Sequence, residues 1–217
     1  MSIMNKHIID RNNKKLPEDG FDEKTVRKDP FEQFSVWWDD ILKSGIPDPD
    51  VMFLATVGKE CRPSGRIVLL KGFDERGFVF FTNLGSRKSR EIEENAFVAL
   101  TFYWKELKKQ VRITGKAVWV KKSEADEYFD SRPLESRISA WISPQSAVIP
   151  GRAYLEEEWK KFYDEQGSGK IRRPQFWGGY RVKPSVIEFW QGREHRLHDR
   201  IRYRLSRGKW IIERLAP

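Results

Sequence analysis

Apolar side chains recur along this chain with two periods, and the passage from one to the other sets out the fold. Phe31, Phe34, Trp37, Trp38, Ile41 and Leu42 follow each other at helical spacing. Asp29-Pro30 ahead of them reads as an N-cap with proline at the first helical position, and Gly45 closes the segment. Beyond Gly45 the pattern is mostly that of strands. Val51–Val57, Arg66–Phe73 and Gly77–Asn83 are apolar and rich in β-branched or aromatic residues, with Asp74-Glu75-Arg76-Gly77 as a hairpin turn. Ala96–Trp104 and Gln110–Val120 are two further strands joined by the polar turn Lys105–Lys109. The tail predicts strands at Gly179–Val182, Ser185–Gln191, Ile201–Leu205 and Lys209–Leu215, the last two linked by Ser206-Arg207-Gly208. Ser86–Asn95, Ser123–Ser131 and Arg152–Glu165 read as helices, and Gln166–Pro174 as a loop. About nine strands and four helices result, in consecutive antiparallel hairpins. The fold class is mainly β with peripheral helices, an antiparallel barrel rather than a parallel βαβ sheet.

Composition narrows the organisation. A chain of 217 residues with 39% hydrophobic side chains supports one domain with its own core. Residues 1–28 are charged and poor in apolar side chains, which predicts a mobile N-terminal arm ahead of a single domain over 29–217. Nine Trp and 13% aromatic residues place most of the chain outside the disordered class. One cysteine, Cys61, rules out an intrachain disulfide and fits a reducing compartment. No apolar run approaches the roughly 20 residues of a membrane span, and Met1–Lys15 has no apolar signal core. A cytoplasmic protein with no membrane partner is expected.

The formal charge of +9 raises nucleic-acid binding, but the basic clusters are interleaved with acids. Glu91, Glu93 and Glu94 follow within a few residues of Arg87-Lys88. The charge therefore points to small anionic ligands and not to nucleic acid.

Several catalytic signatures are missing. No G-x-G-x-x-G follows a strand, Gly169-Lys170 is not a phosphate loop, and no G-x-S-x-G elbow occurs. His7, His195 and His198 with one cysteine make a poor metal set. What remains is a series of phosphate-type donors. Arg66 and Lys71 flank Ile67, Val68, Leu69 and Leu70 on a strand, where period-2 alternation puts the two cations on opposite faces. Thr82-Asn83-Leu84-Gly85-Ser86-Arg87-Lys88 leaves a strand and enters a helix, gathering free N–H groups, hydroxyls and two cations. Tyr128, Arg132 and Ser136 recur every four residues, with Pro133 between them. Each of these also reads as ordinary solvated strand-end, cap or helix-end polarity. The run Trp190-Gln-Gly-Arg-Glu-His-Arg-Leu-His-Asp-Arg200 is harder to read that way, because so much charge beside a strand calls for pairing or a ligand.

At these residues the chain resembles the pyridoxamine 5′-phosphate oxidase family, from about Asp29 to Pro217. The resemblance is carried by Arg66-Ile-Val-Leu-Leu-Lys71, Thr82-Asn-Leu-Gly-Ser-Arg-Lys88, Ser131-Arg-Pro133, Phe176-Trp-Gly-Gly179, Glu188-Phe-Trp-Gln-Gly192, Glu194-His-Arg-Leu-His-Asp-Arg200 and Arg214-Leu-Ala-Pro217. It implies an FMN-binding split barrel and a homodimer, with each flavin between subunits and a C-terminal dimerisation segment at about 176–217. It places FMN against Arg66, Ile67, Val68, Leu69, Leu70 and Lys71, with further contacts from Phe81, Thr82, Arg87, Lys88, Gln110, Gln145, Ser146, Trp190 and Arg200. Lys71, Tyr128, Arg132 and Ser136 would hold the substrate phosphate, while Arg196 and His198 would flank the substrate ring as the catalytic pair. The implied reaction is oxidation of pyridoxamine or pyridoxine 5′-phosphate by O2 to pyridoxal 5′-phosphate, releasing hydrogen peroxide and, from the amine, ammonia. A phenazine-type oxidase shares the fold but tends to lack the phosphate clamp, and a non-catalytic flavin or pyridoxal-phosphate binder has little use for Arg196 and His198. One departure lies in the arm: Leu16, after Asn13, Lys14 and Lys15, stands where family members often carry the Tyr of a closing lid.

Overall fold

The computed structural model describes residues 21–166, 169 and 171–217. Helix α1 (Pro30–Lys43) starts as its sequence dictates: the Asp29 carboxylate accepts from the Phe31 and Glu32 backbone N–H groups at 2.7 and 3.2 Å. Nine antiparallel strands follow. They are β1 (Val51–Val57), β2 (Pro63–Leu69), β3 (Gly72–Asp74), β4 (Gly77–Asn83), β5 (Phe97–Trp104), β6 (Lys109–Trp119), β7 (Trp177–Gln191), β8 (Asp199–Ser206) and β9 (Lys209–Arg214). Helix α2 (Arg87–Glu94) sits between β4 and β5, while α3 (Lys122–Asp130), α4 (Leu134–Ile142) and α5 (Arg152–Gln166) separate β6 from β7. The strand order is β2-β1-β5-β6-β7-β4-β3, with β8 and β9 continuing from β7.

The sheet curls around α1. The Phe34 ring lies 4.9 Å from Phe78 on β4 and 5.5 Å from Phe102 on β5, and Trp37 lies 5.1 Å from Phe189 on β7. One helix face thus meets three strands from different parts of the sheet. Full burial of such a side chain contributes roughly 1.5–3 kcal/mol, so these rings supply much of what closes the half-barrel. A smaller cluster of Phe129, Ile138, Ile171 and Trp177 supports α3 and α4. No helix among the described residues is long and apolar enough to cross a membrane.

Strand β7 runs unbroken through Pro184, where two strands were expected. Its Trp177–Val182 half pairs with β4 and its Val186–Gln191 half with β8, so Pro184 falls where the partner changes. It lies opposite Gly115 at a register shift in the β6 ladder, a place where a missing N–H is tolerated. A Cβ on Gly115 would stand 2.1 Å from the Lys183 carbonyl oxygen.

The expected strand Arg66–Phe73 divides into β2 and β3. The Leu70 N–H bonds back to Asp50, and the Lys71 N–H bonds forward to Val79. The chain therefore turns a corner between two ladders, a change that an apolar run does not advertise. Helix α4 is an addition to the four helices expected; Pro133 opens it instead of ending the helical region.

Residues 21–28, expected as the end of the arm, lie on the barrel. The Phe21 ring is 5.0 Å from Trp37, the Tyr203 hydroxyl donates to the Arg27 carbonyl at 2.7 Å, and Glu23 pairs with Arg214 at 2.6 Å. Lys14, Lys15, Leu16 and the rest of residues 1–20 lie outside the described residues, as do 167, 168 and 170 of the expected loop.

Candidate functional site

A cleft of about 460 Å³ opens beside β2, β4 and the α3–α4 corner. Arg66, Ile67, Val68, Leu69, Lys71, Phe81, Thr82, Lys88, Tyr128, Arg132 and Gln145 all line it, so one cavity gathers eleven of the positions singled out in the sequence. Arg66 and Lys71 share it despite the alternation that assigned them to opposite faces, because the corner at Leu70 and Lys71 resets the phase.

One end of the cleft is built around Lys88. This residue sits in the first turn of α2 and is only 9% exposed. Its ammonium donates to Gln145 Oε1 at 2.7 Å, Thr82 Oγ1 at 3.0 Å and Ser86 Oγ at 3.3 Å. These acceptors are neutral, and among the described residues Lys88 has no ion pair. Burial, with Arg66 adding repulsion, pushes its ammonium down to about 8. No side chain caps α2, which leaves the first N–H groups of the helix without a side-chain acceptor. A buried cation held only by neutral groups at an uncapped helix start suits a phosphate.

Arg66 is fixed beside it. Its terminal nitrogens donate to Thr56 Oγ1 and Ser64 Oγ, both at 2.5 Å, and to Glu91 Oε2 at 3.2 Å. Glu91 also accepts from Arg87 Nε at 2.7 Å. Burial would raise the Glu91 carboxyl, but hydrogen bonds from Ser64, Thr56, Arg87 and Arg66 outweigh it and hold the group at about 2.

The other end is built around Arg132. One terminal nitrogen of its guanidinium is buried without a hydrogen-bond partner. The group lies 4.9 Å over the Trp177 ring and 5.7 Å from Phe129. Burial pushes its pKa below the ordinary arginine value, with Tyr128 acting the other way. A buried donor left open costs about 1–3 kcal/mol or more, which a bound anion would recover. Lys71, beside it in the lining, is held by Asp50 at 2.7 Å.

Between the two ends runs an aromatic wall. Phe81 stacks on Tyr128 at 4.3 Å and on Trp177 at 5.4 Å with the latter rings nearly parallel. Phe81 pairs across the ladder with Gly179, where a Cβ would stand 2.6 Å from the Phe81 ring. The flat face therefore depends on the glycine.

The other expected residues stand elsewhere. Leu70 is buried in the core, at 5% exposure. Arg87 points to Glu91 with most of its side chain exposed. Ser136 is half-buried on α4, and Ser139 one turn later lines the cleft instead. Ser146, in a left-handed conformation at φ 73°, lines a neighbouring groove that shares Gln145. Gln110, Trp190 and Arg200 are directly paired across β6, β7 and β8 and form one row away from the cleft.

Arg196 and His198 follow β7 in the same region. The His198 ring lies 4.7 Å from Trp190, and its Nδ1 accepts from the Arg193 backbone N–H at 3.0 Å. His195 and Arg196 are consecutive left-handed residues, φ 55° and 61°, a conformation that costs roughly 1–2 kcal/mol per residue. Ion pairs from Arg193 to Asp199 at 2.6 Å and from Asp199 to Arg214 at 2.9 Å hold this turn.

Asn83, Ser139, Ser143 and Trp177 also line the cleft, and Asp50 and Glu91 brace it, though none was expected there. Only the Arg87–Glu91 spacing of four on a helix carried a signal for one of these contacts.

Residues 39–165 match the family model described as pyridoxamine 5′-phosphate oxidase. Residues 177–217 match that of the pyridoxine 5′-phosphate oxidase C-terminal dimerisation region. The chain is 53% identical over 195 residues to a pyridoxine/pyridoxamine 5′-phosphate oxidase of Verminephrobacter eiseniae, covering 90% of this chain and 92% of that protein. It is 52% identical over 200 residues to one of Nostoc punctiforme, covering 92% and 94%. Among solved structures, PhzG from Burkholderia lata, in complex with tetrahydrophenazine-1-carboxylic acid, superposes with a TM-score of 0.86 at 28% identity, covering 89% of this chain and 95% of that one. A pyridoxamine 5′-phosphate oxidase-related, FMN-binding protein of Nostoc punctiforme shares the fold, with a TM-score of 0.70 at 17% identity and coverage of 88% and 100%.

Proposed function

The chain belongs to the pyridoxamine 5′-phosphate oxidase family of FMN-dependent oxidoreductases, and on that premise we propose that it oxidises pyridoxamine and pyridoxine 5′-phosphate to pyridoxal 5′-phosphate. Oxygen is the acceptor, hydrogen peroxide the second product, and the amine substrate also releases ammonia. The observation that carries this reading is a pair of cations that have no counter-ion among the described residues, the buried Lys88 and the half-buried Arg132 with its buried open nitrogen, lining one aromatic-walled cleft. A phosphorylated flavin and a phosphorylated pyridine need two anion sites and flat surfaces between them, and this donor set fits both.

Bound FMN supplies the two-electron chemistry, and the protein supplies position and charge. Lys88 and Arg66 hold the cofactor phosphate at the start of α2. Arg132, Lys71 and Tyr128 hold the substrate phosphate, which fixes the substrate ring and removes much of the entropic part of the barrier. His198 has its Nδ1 occupied by the Arg193 N–H, so its neutral ring carries the proton on Nε2 and donates from there. Arg196, aimed by its left-handed backbone, orients the reacting carbon and stabilises charge developing there.

These two residues stand with Trp190, Gln110 and Arg200, apart from the cleft lining. A homodimer reconciles the two groups: the C-terminal group of one subunit completes the cleft of its partner. The family match at 177–217 and the exposure of Phe53, Ile67, Leu69 and Tyr103 along one sheet face support this arrangement. A cytoplasmic location belongs to the same reading.

The likeness to PhzG supports a second reading, oxidation of an unphosphorylated aromatic substrate. Arg132 with its open donor favours the phosphorylated substrate. The test is to purify the protein, record its visible spectrum, add pyridoxine 5′-phosphate in air and follow aldehyde and peroxide. A flavin spectrum with aldehyde formation is expected. Turnover of pyridoxine as fast as of its phosphate would favour the second reading.

A further inference from the structure

Glu91 is a buried carboxylate outside the cleft lining, with no part in the oxidation itself. Its side chain is 11% exposed, and both oxygens are occupied. One accepts from Thr56 and Ser64, each at 2.5 Å, and from Arg66 at 3.2 Å; the other accepts from Arg87 at 2.7 Å. Three elements thus meet on one group: β1 with Thr56, β2 with Ser64 and Arg66, and the first turn of α2 with Arg87.

Thr56 and Ser64 also accept directly from Arg66, at 2.5 Å each. The terminal nitrogens of Arg66 are therefore locked, and its Nε is the one guanidinium nitrogen without a hydrogen bond among the described residues. Arg66 and Arg87 both pair with this carboxylate, and Lys88, bonded only to neutral groups, lies near enough to Arg66 to be repelled by it. The cluster keeps two positive charges, which matches a phosphate monoester at about −1.5 to −2. Without the carboxylate, Arg66 would lose its one charged anchor and keep only neutral acceptors at Thr56, Ser64 and the Leu54 carbonyl against its repulsion from Lys88.

We propose that Glu91 is a positioning residue that locks Arg66 and Arg87 into one rigid cationic unit beside Lys88, so that the site selects a phosphorylated flavin over an unphosphorylated one. The inference rests on the reading that the cofactor phosphate lies at the start of α2.

The test compares the dissociation constants of FMN and riboflavin for the full-length, flavin-stripped protein, by quenching of flavin fluorescence. In Glu91→Ala and Glu91→Gln the FMN constant is expected to rise about tenfold, the scale of one lost charge-assisted hydrogen bond. The riboflavin constant should stay within about twofold, since Glu91 lies outside the cleft lining. Ser64→Ala keeps the charge and removes one donor to Glu91, so it serves if the Glu91 variants do not fold; about a threefold loss for FMN alone is expected. Equal weakening of both flavins would make Glu91 a folding residue and overturn the proposal. Tighter FMN binding by Glu91→Gln would overturn it too, because net charge alone would then govern the site. Unchanged FMN binding in all variants would have the same meaning. Wild-type protein that does not distinguish FMN from riboflavin would instead withdraw the phosphate placement on which the inference stands.

Discussion

The Lys88 ammonium donates to the Gln145 side-chain carbonyl at 2.7 Å, tying the first turn of α2 to the segment after α4 across 57 positions of sequence. The contact closes one end of the cleft and leaves the ammonium without a carboxylate. Its energetics give the first expectation.

Cofactor binding should weaken above pH 8. Burial lowers Lys88 from the ordinary 10.5 to about 8, so the flavin-free protein loses this proton well before an unfolded chain does. Between these two values the unfolded state binds more protons, and the flavin-free protein gains stability as pH rises. A bound phosphate dianion favours the charged form and reverses this, so binding takes up a proton there. Titrations of FMN from pH 7 to 10 should show affinity falling above about 8, and Lys88→Met should flatten the curve. A wild-type curve with no such fall would remove Lys88 from the phosphate site.

Arg132→Met should separate stability from function. The wild-type guanidinium carries a buried, unpartnered nitrogen, so an apolar side chain of similar length should leave the melting temperature unchanged or raised. The KM for pyridoxine 5′-phosphate should rise by about tenfold or more. Steady-state kinetics beside thermal melts check both parts, and an unchanged KM would end the clamp assignment.

Arg196→Ala should keep the yellow bound flavin and lose most turnover. The residue sits on a strained turn and is assigned to the substrate's reacting carbon, with the flavin phosphate held by Lys88 and Arg66, so cofactor affinity should not depend on it. Absorbance at the flavin band measures one outcome and aldehyde formation the other. Loss of flavin would show that the residue holds the cofactor instead.

Gly179→Ala should disturb the aromatic wall. The added Cβ meets the Phe81 ring at 2.6 Å, inside van der Waals contact, and overpacking of this kind costs about 1–3 kcal/mol. Chemical denaturation should show that loss, with weaker flavin binding as Phe81 leaves its stack on Tyr128.

Phe53→Asp should test the two-subunit site. Phe53 is 44% exposed on the sheet face that carries Ile67 and Leu69. A carboxylate there should shift sedimentation towards monomer and weaken flavin binding together. A dimer that persists with full flavin would move the interface elsewhere.

By itself the sequence determined the helix–strand alternation, since period and turn chemistry are local: the Asp29-Pro30 cap, the 74–77 hairpin and the β8–β9 hairpin stand where the pattern put them. It also carried the identity of the donors now found in the cleft, because the motifs are contiguous. Tertiary structure alone decided which donors share a cavity. The corner at Leu70 and Lys71 depends on two ladders pulling neighbouring amides apart, and the continuity of β7 through Pro184 on a change of partner at that point. Neither leaves a periodic trace. The roles of Glu91 and Asp50 were largely hidden for a related reason: apart from the Arg87–Glu91 spacing, each carboxylate looks solvated until folding brings it a cation from a distant segment, Arg66 to the one and Lys71 to the other.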